Sequence, residues 1–375
     1  MSDHRYRNPE RRNAAYPPYQ PPIPPRRYAP HRGMSLGLVL VLDALAMGVL
    51  LLIFALFHHV LPGRPVEGKV LPVVTPTPSA VTQTTTTTVT ETTTAADEWE
   101  EIVPTPTPEP TPTPTPLGGL FGEKFADKFN ADGTVECTEN SYKSRNVNMT
   151  LTRVEEDGIV YFLTDIYLRD LQYLKTAFAG DIYQTGKSEM TLDIANAHNA
   201  LCAISGDSFG MSSRGIVIRN GELFRETTSK LDVLVLFQDG TMETFRHYDA
   251  NVDAWVERGV YQVWTFGPLL LWEGHNLEGF DNPLTVANPR SAIGYYEPGH
   301  YVFLTVDGRQ EGYSEGMTLK GMSKLFYDLG CTQAYNLDGG QSATLTWMGQ
   351  VANQPSDGGR PISDIVYIWD EEVQP

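Results

Sequence analysis

Three apolar segments of this chain each run into a short cluster of glycine and charged residues: Ser205-Gly206-Asp207, Asp307-Gly308-Arg309 and Asp338-Gly339-Gly340. Strand ends that feed glycine loops are where ligand sites cluster in α/β folds. Glycines beside them let the backbone approach a ligand closely. One Asp-Gly pair is ordinary turn chemistry; three at the ends of buried strands point to a ligand site. Arg309 lies within one exit, and the segment Asn288-Pro289-Arg290-Ser291-Ala292-Ile293-Gly294 places Arg290 near the same region.

Other chemistries fit poorly. His198, His247, His275 and His300 lack His-Glu-x-x-His spacing, and no P-loop or G-x-G-x-x-G occurs. Gly340-Gln341-Ser342-Ala343-Thr344 lacks the closing glycine of a nucleophile elbow, so Ser342 reads as a hydrogen-bonding loop residue. The formal charge of −18 argues against a nucleic-acid binder, which needs clustered Lys and Arg. Cys137, Cys202 and Cys331 form no C-x-x-C pair. Cys202 and Cys331 read as buried thiols, with a disulfide as the alternative in an oxidising compartment.

These residues must be carried by the C-terminal part of the chain, residues 121–375. Its pattern is that of an α/β (mixed α+β) single globular domain with a mixed sheet and hairpins. Alternation over 158–168 predicts a strand, and 191–199 a short helix before a buried strand at 200–205. Asn220-Gly221 and Asp239-Gly240 are hairpin turn dipeptides. A strand over 301–306, a helix over 318–329 stopped by Gly330, and a strand over 332–335 complete the frame.

The remainder divides into three unlike parts. Residues 1–33 carry seven arginines among eight prolines and read as an extended basic tail. Residues 34–61 are apolar enough for one transmembrane helix, with Asp43 as a tolerated polar residue. The arginines before it place the tail in the cytoplasm and the C-terminal domain outside the cell, in a single-pass arrangement at the cell membrane; a cleaved signal peptide is the competing reading. Residues 62–120 are a Thr/Pro-rich stretch that reads as a disordered stalk, and 20 of the 27 prolines fall in residues 1–120.

The C-terminal pattern resembles the phosphodiester glycosidase family over about residues 140–370. The resemblance is strongest from Pro289 to Asp364 and most specific in Asn336-Leu337-Asp338-Gly339-Gly340, the following Ser342 and the downstream Asn353. Ala203-Ile204-Ser205-Gly206-Asp207-Ser208-Phe209 is similar to the family's Asn-Gly-Gly-Phe-Phe segment. Gln341 stands where a third glycine is usual, Ala343 where a serine is, and Asp207 where a second glycine is.

The resemblance implies hydrolysis of a sugar 1-phosphodiester at the anomeric carbon. The catalytic candidates are then Asp338, Asp307 and Asp207, in that order. Arg290, Arg309 and Arg360 are the phosphate-binding candidates, and Asn336, Gly339, Gly340, Ser342 and Asn353 complete the expected substrate-binding set. The three aspartates would alternatively suit a divalent cation, Ca²⁺ or Mg²⁺. The expected partner is a glycosyl phosphodiester in surface polysaccharide or glycoconjugate. The rivals are a carbohydrate-binding or polysaccharide-assembly protein without turnover and an ordinary glycoside hydrolase.

Overall fold

The structure is a computed structural model that describes residues 36–55, 65–74, 117–280 and 285–372. The expected basic tail and most of the expected Thr/Pro stalk lie outside the described residues. Leu36–Ala55 forms a helix that is long and apolar enough, by length and composition, to cross a membrane. At 1.5 Å per residue its 20 residues match a hydrocarbon core of about 30 Å.

The C-terminal unit is an α+β domain of three larger sheets and few helices. A seven-stranded sheet runs in the order Gln333–Leu337, Arg290–Glu297, His300–Val306, Ile159–Leu168, Val147–Glu156, Ser141–Lys143, Glu136–Cys137. A five-stranded sheet contains Cys202–Ser205 between Leu345–Trp347 and Asp364–Ile368. A six-stranded sheet centres on Gly215–Arg219, Val260–Thr265 and Val233–Phe237. Pairing within them is antiparallel.

Local signals in the sequence account for much of this frame. Asn220 and Gly221 both adopt positive φ, 50° and 80°, as a two-residue hairpin turn with the favoured twist requires. Thr318 caps the helix Leu319–Asp328 by accepting from the Gly321 amide at 3.0 Å, and Gly330 follows at φ 84°. Met322, Ser323 and Phe326 form the helix's buried face, and the Ser323 hydroxyl donates to the Leu270 carbonyl. Cys202 and Cys331 are buried free thiols.

The stalk boundary needs correction. Residues 65–74, read as part of that spacer, are built into the domain. Lys69–Val70 pairs antiparallel with Glu222 and Leu223, capping an edge of the six-stranded sheet. The Leu71 amide donates to Gly221 O at 2.9 Å, and Leu71 packs in the core of that sheet. The Val74 amide bonds Gln238 Oε1, whose amide nitrogen returns a bond to Pro72 O. At the other end of the expected stalk, Leu117 is buried and its carbonyl accepts from Arg169. Two short apolar anchors outweighed the composition of the low-complexity stretch around them.

Candidate active site

The site lies where the five- and seven-stranded sheets meet end to end. Strand Cys202–Ser205 stops at Gly206, whose carbonyl accepts the Asp338 amide at 3.0 Å. The Ser205 hydroxyl reaches Asp338 O at 2.5 Å and Ser291 Oγ at 3.0 Å. Three strand ends are thereby tied together under one carboxylate. Gly206 and Gly339 are needed for close approach. A Cβ on Gly206 would overlap the Asp364 carboxylate, and one on Gly339 would stand 2.7 Å from Pro289 O.

Above this junction opens a pocket of about 540 Å³. Among the residues expected at the site, Asp338, Arg290, Arg309, Arg360, Asn336, Gly339 and Gly340 line it. Asp338 is 6% exposed. Arg360 Nη2 stands 2.9 and 3.2 Å from its two oxygens, and Arg360 Nε donates to Ser342 Oγ at 2.6 Å. Burial raises the Asp338 pKa above the usual carboxylate range, and the charge of Arg360 opposes the rise. Ser342 is itself buried and orients Arg360.

Arg290 is held by backbone. Its Nε donates to Met317 O at 3.0 Å and Nη2 to Val286 O at 2.7 Å. Burial, joined by the neighbouring charge of Arg309, lowers its pKa to about 10. Arg309 is solvent-exposed, at φ 60°, and rests on Asn288 Oδ1 at 2.9 Å. It has no carboxylate at ion-pair distance among the described residues. Asn336 donates to Gly267 O at 2.7 Å, while its buried Oδ1 has no hydrogen-bond partner among the described residues.

The other expected residues stand behind this pocket or away from it. Asp307 is 1% exposed and fully engaged: it accepts from Tyr313 Oη at 2.9 Å, Asn353 Nδ2 at 2.7 Å and the Gln354 amide at 3.0 Å. Asn353 also accepts the Leu345 amide and donates to Ala343 O. Asp307 and Asn353 therefore clamp the loop after the Asp338 motif. Asp207 is buried in an ion triad. Arg219 Nη2 lies 2.8 Å from Asp207 and 2.9 Å from Asp364, all three side chains being at most 1% exposed. The amides of Thr265 and Phe209 complete its shell at 2.8 and 3.1 Å.

The three aspartates thus do not converge. Among the described residues no group of three or more His, Cys, Asp or Glu is gathered to hold a metal ion. Asn288, Gln341, Phe266, Pro268 and Leu231 also line the pocket and were not among the site residues expected from the sequence. Asn288 and Gln341 adjoin recognised motif residues and were legible in principle. Phe266-Gly267-Pro268 carries only a turn signal.

The family model for phosphodiester glycosidases matches residues 198–369. Residues 198–369 belong to the phosphodiester glycosidase family. The strands over residues 141–168 precede the matched region yet hydrogen-bond into the same sheet as its Arg290 and Gln333 strands. Among curated relatives, an uncharacterized SPbeta prophage-derived protein of Bacillus subtilis, YomE, is 28% identical over 224 residues, 54% of this chain and 35% of that protein. The bovine N-acetylglucosamine-1-phosphodiester alpha-N-acetylglucosaminidase is 33% identical over 104 residues, 26% of this chain and 19% of that protein. The chain therefore spans about a third or less of the curated relatives it matches. Among solved structures, the catalytic domain of the zebrafish N-acetylglucosamine-1-phosphodiester alpha-N-acetylglucosaminidase aligns at a TM-score of 0.49 and 22% identity, covering 60% of this chain and 83% of that one.

Proposed function

We propose that the domain hydrolyses the bond between an anomeric carbon and phosphate in glycosyl 1-phosphodiesters. The observation carrying this reading is the charge layout of the pocket. Arg290 and Arg309 line it with Asp338, the one carboxylate among its described lining residues. The arginines take the phosphodiester anion. Asp338 lies beside C1, where positive charge develops as the C1–O bond breaks and its electron pair departs on the phosphate oxygen. Water adds to C1 and loses a proton to solvent or to Asp338, giving free sugar and a phosphomonoester. A phosphomonoester leaves readily near neutral pH, so the second carboxylate that ordinary glycosides require as a general acid is not needed here. Asn336 Oδ1, buried in the pocket wall and unpartnered among the described residues, suits a sugar hydroxyl donor.

In this reading the helix Leu36–Ala55 anchors the chain in the cell membrane, with the enzyme domain facing outward. The substrate is surface polysaccharide or glycoconjugate. The experiment compares hydrolysis of sugar 1-phosphodiesters with matched glycosides carrying neutral aglycones, beside Asp338→Asn. Release of sugar from the phosphodiesters alone, abolished in the variant, supports the reading. Equal cleavage of neutral glycosides would replace it with ordinary glycoside hydrolysis; sugar binding without turnover would replace it with a binding protein.

A further inference from the structure

Strand Gln333–Leu337 and its exit lay out three roles in order. First, Tyr335 and Asn336 fix a loop: the Phe266 amide donates to Tyr335 Oη at 2.8 Å, Asn336 Nδ2 to Gly267 O at 2.7 Å, and the Asn336 amide to Pro268 O at 3.2 Å. Next comes the Asp338 carboxylate. Then Gly339 and Gly340 abut Pro289 and the Arg309 guanidinium. The pocket therefore has an arginine end and a Phe266–Pro268 end, with Asp338 between them. Phe266 and Pro268, together with Leu231, also line a second cleft of about 370 Å³. The loop is thus a fixed partition between two adjoining spaces.

The second cleft carries groups that the hydrolytic chemistry does not use. Tyr248 is 71% exposed, with its ring 5.1 Å from that of His247. Lys230 also lines the cleft and has no carboxylate at ion-pair distance among the described residues. Arg246, by contrast, is committed to Asp232 at 3.1 Å and to the face of Trp272 at 5.2 Å.

We propose that this cleft is a second sugar subsite, occupied by a unit joined to the cleaved sugar on the side away from the phosphate; that direction rests on the function proposed above. The Tyr248 ring offers an apolar face to the C–H face of a pyranose, and Lys230 and His247 offer hydrogen bonds to its hydroxyls. A phosphate at the arginine end and C1 at Asp338 direct the rest of the chain toward the partition and past it. The preferred substrate is then an oligosaccharide 1-phosphodiester of at least two units, and the enzyme cuts within a chain rather than releasing only single terminal sugars.

The test uses the full chain and two probes: the methyl phosphodiester of N-acetylglucosamine 1-phosphate, and the same compound extended by one β-linked glucose. The extended probe should show a KM at least about tenfold lower. The double variant Lys230→Ala, Tyr248→Ala should remove that advantage and leave the one-unit kinetics unchanged. Equal KM values for the two probes, or a variant that weakens both alike, overturns the subsite. If neither probe is hydrolysed, calorimetric binding still decides: tighter binding of the longer probe, lost in the double variant, upholds the subsite while the hydrolytic reading fails. Equal binding rejects it.

Discussion

Arg360 and Asp338 form a pair in which one guanidinium nitrogen spans both carboxylate oxygens at 2.9 and 3.2 Å, while Nε of the same arginine is fixed by Ser342 at 2.6 Å. The pair sets how strongly burial can protonate Asp338. Burial raises its pKa and Arg360 opposes the rise, so the ionised form is lost as pH falls through a value above the ordinary 3.9 or so. The acidic limb of kcat/KM should therefore lie above that value. Arg360→Ala removes the opposing charge and should move the limb to higher pH. A limb unchanged in Arg360→Ala would mean that Asp338 is not the titrating group.

Arg309 offers a clean test of phosphate binding, because it is exposed and, among the described residues, its side chain hydrogen-bonds only Asn288. Hydrogen bonds to a charged group contribute about 1.5–3 kcal/mol, so Arg309→Ala should lower kcat/KM for phosphodiesters by about ten- to a hundredfold. The urea midpoint should hardly move. Arg290→Ala should cost activity and stability together, because its guanidinium also satisfies the Met317 and Val286 carbonyls.

Asp207 should behave as a structural residue. It shares Arg219 with Asp364 in a triad shielded from solvent, so removing the arginine leaves two buried carboxylates without their cation. Breaking a buried pair by removing one partner costs about 3–5 kcal/mol. Arg219→Met should lower the unfolding free energy by about that amount. Asp207→Asn should also destabilise, while the fraction that remains folded keeps its kcat. A large loss of kcat in fully folded Asp207→Asn would instead give this residue a role in the chemistry.

Residues 65–74 should stabilise the domain from outside its family match. Leu71 is 6% exposed in the core of the six-stranded sheet, and Lys69–Val70 covers the edge at Glu222–Leu223. Burying one leucine stabilises by about 1.5–3 kcal/mol. A chain beginning at Leu117 should unfold at lower urea than one beginning at Leu61, by about that free energy. Equal midpoints would show that the segment adds nothing.

Sequence and structure meet most closely where a polar residue sits directly at a strand end. Asp338, Arg290 and Arg309 are such cases, and all three line one pocket. The two hairpin turns and the Thr318-capped helix were legible for the same reason, since turns and caps are decided by neighbouring residues. Long-range pairing leaves no such trace. Asp207 looks in sequence like Asp338, yet its role is set by Arg219, which belongs to another sheet and reads locally as the end of a hairpin strand. Asp307 likewise looked available until Asn353, Tyr313 and Gln354 were seen to occupy its oxygens. The partition at Phe266–Pro268 exists because Tyr335 and Asn336 fasten it, and no local pattern records that.

The central claim is that the bond broken is the one at the anomeric carbon. Hydrolysis of a sugar 1-phosphodiester in ¹⁸O-labelled water, with mass analysis of both products, tests it most directly. Label in the sugar and none in the phosphomonoester is the result this account predicts. Label in the phosphate would mean attack at phosphorus, and would contradict the assignment of Asp338 to C1.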